Sequence, residues 1–165
     1  MPWGSWDLVW LVEHAVLKEK FLTHYNQYIE DVRIGVFAKN LKQFGTEKND
    51  TNDEIVVIVD YDGFQFSHLS TPEAVKFVLT LASKLEKCYA QISYGYVINA
   101  NPLAYQVVIL SKPTAGNFLQ KMDIHGTNSQ SWIPKIQRRI PQEQLPPAYG
   151  GSSDFKPLVT YNFLD

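Results

Sequence analysis

The stretch YGYVINANPLAYQVVILSKP, Tyr94 to Pro113, joins two apolar segments of different kinds. Gly95 to Ala100, GYVINA, reads as a strand. Pro102 to Pro113 is apolar almost all round and ends at a proline, so it reads as a helix. A helix without a polar face is normally buried on every side. This one stands between a strand and a loop, which leaves one of its faces able to cover an apolar ligand.

The chain on either side extends the pattern. Upstream, EIVVIVD, Glu54 to Asp60, is a β-branched apolar run without alternation, as expected of a strand covered on both faces in a parallel sheet. Thr71 before Pro72 and Glu73 marks a helix start, and Val75, Val78, Leu79, Ala82 and Leu85 supply its buried stripe. Two strands joined through a helix make a βαβ unit. Downstream, KMDIHG, Lys121 to Gly126, reads as a short third strand, and SWIPKIQRRI as a helix interrupted near Pro134. LVTYNFL, Leu158 to Leu164, reads as a terminal strand or docked tail. From Asp7 to about Leu41 apolar residues recur at spacings of three and four, a helical stripe, and the polar run Gly45 to Glu54 is an exposed loop.

The 165 residues, 45% hydrophobic and 19% charged, have the balance of one globular domain with room for a core. A net charge of −2 without a basic stripe gives no footprint for nucleic acid. One cysteine, Cys88, excludes an internal disulfide and a CxxC zinc site, so reducing cytosol is the expected setting. Asp7, Glu13 and His14 interrupt the apolar N-terminal stretch and no basic segment precedes it, which argues against a signal peptide. No run of eighteen apolar residues is present to span a membrane.

Motifs that would carry chemistry fail in turn. In the acidic stretch Asn49 to Glu54, Glu54 stands where a calcium loop needs glycine. Asp60 and Asp62 around Tyr61 follow a strand, but no lysine, histidine or carboxylate accompanies them at motif spacing, so a strand-exit turn is the simpler reading. His14, His24, His68 and His125 form no ligand pair, and no G-x-S-x-G elbow or glycine-rich phosphate loop occurs. Cys88 lies in a helical context as a small apolar residue. These failures point to a binding protein rather than an enzyme, with no cofactor and no metal.

In order and spacing, EIVVIVDYDGFQFSHLS, YGYVINANPLAYQVVILSKP, KMDIHGTN and RRIPQEQLPPAYGG resemble the CRAL-TRIO, or Sec14-like, lipid-binding domain. The resemblance rests on Asp60 and Gly63, on Ile98-Asn99-Ala100, on Lys112-Pro113, on Lys121 to Gly126 and on Leu145 to Gly151. It implies an α/β fold whose mixed, mostly parallel sheet floors a hydrophobic cavity, with helices packed behind and a mobile gate helix in front. By position the gate begins at Pro102 and carries Leu103, Tyr105, Val107, Val108, Ile109 and Leu110. Phe64, Phe66, Tyr96 and Ile98 are the expected pocket residues, each competing with ordinary core packing, and Lys121 is a headgroup or membrane contact competing with a plain surface lysine. The prolines and glycines from Pro141 to Gly151 would fix the return of the chain beneath the cavity.

The expected domain is residues 1–151, followed by a tail at 152–165. The usual helical N-terminal subdomain and first strand or strands are missing from it. CYAQ, Cys88 to Gln91, replaces the segment that supplies headgroup contacts in phosphatidylinositol-binding members, while GFQFSH and DIHGTN are closer to the tocopherol and retinaldehyde carriers. The resemblance therefore implies a cytoplasmic carrier with transient membrane contact. Its ligand would be neutral, such as a tocopherol, squalene or retinoid, ahead of a phospholipid. A protein-interaction or regulatory module without lipid transfer is the alternative.

Overall fold

A computed structural model describes residues 1–37, 54–157 and 160. The end of the expected helical stripe at 38–41, the expected loop at 45–54 except Glu54, and most of LVTYNFL lie outside them. Three parallel strands form the sheet: β1, Ile55–Asp60; β2, Ile92–Ile98; and β3, Met122–Ile124, in the order β1-β2-β3. Val57 stands beside Gly95 and Asp60 beside Ile98, while Val97 stands beside Ile124. Gly95 is required by this close approach, because a Cβ there would come within 2.5 Å of the Val57 carbonyl and of the Met122 sulfur. At the β1 edge Pro2 makes a parallel bridge to Asp60.

The helical stripe near the N-terminus divides at His14 into α1, Leu8–Glu13, and α2, Ala15–Arg33. Asp7 caps the first by accepting a hydrogen bond from the Trp10 amide. The two connections between strands are α3, Pro72–Leu85, and α4, Pro102–Gln120. Thr71 caps α3 as its sequence predicts. Two successive crossovers running the same way across a sheet place both helices on one face, given their common handedness. So α3 and α4 pack side by side with α1 and α2 over Val57, Val59 and Val97. The helix expected in front thus lies beside α3.

The opposite face carries α5, Ser129–Gln137, and the segment after it; Tyr96, Ile98, Trp132, Ile136 and Leu145 form a second, smaller core there. Pro134 does not interrupt α5, because Trp132 and Ile136 on either side of it are both held against the sheet. The β2 strand begins earlier than GYVINA suggests, at Ile92. The α4 helix also continues past Pro113, and the break appears instead at Ala115, whose φ of −135° and ψ of 30° are not helical.

Candidate functional site

Asn101 sets where α4 begins. Its Oδ1 accepts from the Ala104 amide at 2.9 Å, and its Nδ2 donates to the Phe64 carbonyl at 2.6 Å, tying the helix start to the turn after β1. From there Ala104, Val107, Val108, Ser111, Ala115 and Phe118 face the core, and the Ser111 hydroxyl is satisfied by the Val107 carbonyl. The outer face is largely apolar as well: Tyr105, Ile109 and Leu110 are exposed there, beside Gln106 and Lys112. Sequence alone leaves such a helix without a polar side, and the fold does not supply a cover for it among the described residues.

The kink divides α4 into two unequal parts. Beyond Ala115, Glu86 acts as a cap from outside the helix, accepting from Asn117 Nδ2 at 2.5 Å and from the Phe118 amide at 3.0 Å. Lys121, at the end of the short part, donates to the carbonyls of Tyr89 and Ile92 and lies over the Tyr89 ring. The short part is therefore fastened to the turn before β2. The long part is held by Asn101 at its start and by packing along its length.

Between α4, around its kink, and the sheet is a void of about 20 Å³, lined by Trp3, Val59, Tyr61, Val97, Val108, Ala115 and Phe118 among others. That is room for about one water, whereas ligand pockets measure roughly 300–1,000 Å³. Trp3 Nε1 is buried without a hydrogen-bond partner. On the outside, between α3 and α4, Pro72, Val75, Leu79 and Leu110 line an open groove of about 510 Å³.

One carboxylate ties together three of the motifs that carried the resemblance. Asp60 Oδ1 accepts from Asn99 Nδ2 at 2.8 Å and from the Asp62 amide at 2.9 Å, and its Oδ2 accepts from the Tyr149 hydroxyl at 3.1 Å. Burial and the Asp60 charge both push the Tyr149 hydroxyl well above its usual pKa, so it remains a donor. Asn99 adopts the left-handed conformation, φ 56°, to reach Asp60. The two glycines after Tyr149 serve the same junction: Gly150 has φ 81°, and a Cβ on Gly151 would stand 1.7 Å from the Leu145 carbonyl. Asp60 thus welds the end of β1 to the start of α4 and to the closing loop. Nothing in the spacing of these motifs announces that they meet at one side chain.

The expected pocket residues separate into three groups. Phe64, Leu103 and Val108 belong to the core under α4 or pack against it. Tyr105, Ile109 and Phe66, the last 73% exposed, face outward. Tyr96 and Ile98 lie on the other side of the sheet, because residues alternate between faces and only their neighbour Val97 points toward α4. The Lys121 ammonium is occupied by two backbone carbonyls. Sequence reasoning overlooked Glu86 and Asn101, although Asn101 before Pro102 repeats the cap signal read at Thr71-Pro72.

A family model described as the CRAL/TRIO domain matches residues 8–151. The chain belongs to the CRAL-TRIO family. No curated protein matches it, and no solved structure does. Membership gives the apolar α4 and the void beneath it a context, since CRAL-TRIO domains as a family bind small lipophilic molecules. No described helix of this CRAL-TRIO domain is long and apolar enough to cross a membrane.

Proposed function

We propose that this CRAL-TRIO domain binds one small hydrophobic lipid between α4 and the sheet, and exchanges it when the long part of α4 lifts against a membrane. The observation that carries the reading is that α4 is apolar on both sides, packed over a void on one and exposed through Tyr105, Ile109 and Leu110 on the other. A helix that alternates between covering a lipid and entering a bilayer needs both.

The energetics suit slow release and membrane-linked exchange. Burying an acyl chain of about sixteen carbons gains on the order of 12 kcal/mol at ~0.8 kcal/mol per methylene, so loss into water is very slow. Lifting the long part of α4 uncovers Val107 and Val108 at roughly 1.5–3 kcal/mol each in water, a cost that a bilayer offsets. The kink at Ala115 supplies the hinge, with Glu86 and Lys121 holding the short part in place.

The surroundings favour a neutral ligand bearing one oxygen, as in a tocopherol or retinoid, over a phospholipid or a bare hydrocarbon. Lys121 would have to give up two carbonyls to meet a phosphate, while the unpartnered Trp3 Nε1 beside the void has a donor to offer. Catalysis has less support: burial pushes the Cys88 thiol up to about 11, leaving it protonated at neutral pH. The small void favours one other reading, a regulatory module that binds a protein and no lipid.

Native mass spectrometry followed by extraction separates the two, since a carrier brings or takes up lipid one to one and a regulatory module does neither. Ile109→Asp with Leu110→Asp changes only exposed positions of α4. It should slow transfer between vesicles by about tenfold or more, because aspartate enters a membrane at a cost of several kcal/mol. Unchanged transfer would dismiss α4 as the gate.

A further inference from the structure

The face of the sheet remote from α4 contains polar atoms that its own fold leaves unused. Tyr96 on β2 and His125 just after β3 stack their rings with centroids 6.1 Å apart, and the Tyr96 hydroxyl and His125 Nε2 are both buried without a hydrogen-bond partner. Tyr96 itself is only 1% exposed. A third buried donor, Trp132 Nε1, is unpartnered in the same apolar cluster. Native interiors rarely leave such groups unpaired, and each one costs stability while it stays so.

Two cations lie near them. Arg139 lies over the Tyr94 ring, its guanidinium carbon 3.3 Å from the centroid, and it is close enough to act on the Tyr96 hydroxyl, opposing the upward push of burial on its pKa. Lys135, one turn earlier on α5, acts with burial to hold the His125 pKa below its ordinary value, and exposed Asp123 opposes them weakly. Among the described residues neither cation is in an ion pair. A guanidinium held flat on a ring keeps its N–H edges for an oxygen ligand.

We infer that Tyr96, His125, Lys135 and Arg139 form an oxyanion site between α5 and the β2-β3 edge, with the chemistry of a phosphate or sulfate group. A bound anion would accept from the Tyr96 hydroxyl and from a protonated His125 while neutralising the two cations. It makes no use of α4 or of the void, so it stands whether or not the domain carries lipid there. An anion favours the charged imidazole, and binding therefore takes up a proton.

The test uses sulfate, whose charge is constant from pH 5 to 8, against chloride at equal ionic strength, with calorimetry and thermal unfolding as readouts. Sulfate should bind and raise the midpoint, and its affinity should increase from pH 7.5 to 5.5. Arg139→Gln and Tyr96→Phe should each weaken sulfate by about tenfold, the effect of losing one hydrogen bond to a charged group. Without sulfate, Tyr96→Phe should be no less stable than the parent, because the hydroxyl removed had no partner. Vesicles containing phosphatidic acid identify the source of the anion. Arg139-dependent binding that sulfate displaces indicates a lipid headgroup, and sulfate binding without vesicle binding indicates a soluble phosphorylated ligand. No sulfate-specific binding, or binding equal in the parent and both variants, overturns the site.

Discussion

On the face of the sheet that carries α1 to α4, the buried hydroxyls of Tyr25 and Ser111 donate to the Leu81 and Val107 carbonyls, and Trp3 Nε1, beside the void, is the unpartnered buried side-chain donor. On the face beneath α5, Tyr96, His125 and Trp132 all have unpartnered atoms, with Arg139 over the neighbouring Tyr94 ring and Lys135 close enough to act on His125. The first face is large and depends mainly on apolar area; the second is small and depends on polar groups awaiting partners. On the two proposals made above, the unmet polar groups call for one oxygen under α4 and an oxyanion under α5.

Matched truncations should break or sustain this contrast most clearly. Leu81→Ala and Ile136→Ala each remove a fully buried side chain, at a cost of about 2–5 kcal/mol depending on how far the site collapses. Leu81 is enclosed by several helices that cannot all close in, so its denaturant midpoint should fall further. Ile136 is carried on one short helix that can settle onto the sheet. A larger loss for Ile136→Ala would show that the second face is the tighter one.

The junction between the faces gives a smaller effect. Asp60→Ala strands Asn99 and Tyr149 together and should cost about 2–3 kcal/mol, whereas Tyr149→Phe removes a single donor at about 1 kcal/mol. Smaller again, Glu86→Ala removes the cap of the short part of α4 at about 1 kcal/mol. If the short part is the fixed end of a hinge, this variant should also raise amide exchange from Asn117 to Gln120, with α3 unaffected.

Much of the fold was legible because it depends on local chemistry. Ile55 to Asp60 was legible as a parallel strand from its β-branched run, and Thr71-Pro72 states a helix start in two residues. The cover expected on both faces of β1 is found on one, where Val57 and Val59 are buried, while Val56 on the other is exposed. The family's motifs were legible as a series in the expected order, from Asp60 to Gly151. The site was less so. Tyr96 and Val97 are adjacent in sequence and equally buried, and only the register of the sheet sends one toward α4 and the other toward α5. Lys121 resembled a headgroup contact because sequence shows its charge and not the two carbonyls that engage it. Pro113 appeared to end a helix, but continuation to Gln120 depends on Glu86, some thirty residues away and visible only in three dimensions.

The smallest expected effect is on the pH dependence of stability. Burial first, and then Lys135, lowers the His125 pKa below 6.5 in the folded chain, so the unfolded chain takes up its proton at higher pH. Stability contributed by the neutral imidazole is thus fully present above pH 6.5 and declines as pH falls through 6.5 toward the folded value. The Met1 amine, lowered by burial to about 6, contributes a loss of the same sign between pH 8 and 6, which makes the parent slope alone ambiguous. Comparison with His125→Gln isolates the imidazole: the variant should be flatter between pH 6.5 and 5.5 and unchanged in slope above 7. Added sulfate should reduce the parent's acid loss and leave that of His125→Gln unaltered, since only an anion beside the ring gives the extra proton a partner. Equal slopes in both proteins would place His125 in water, and the second face would lose its claim to a buried, unpartnered imidazole.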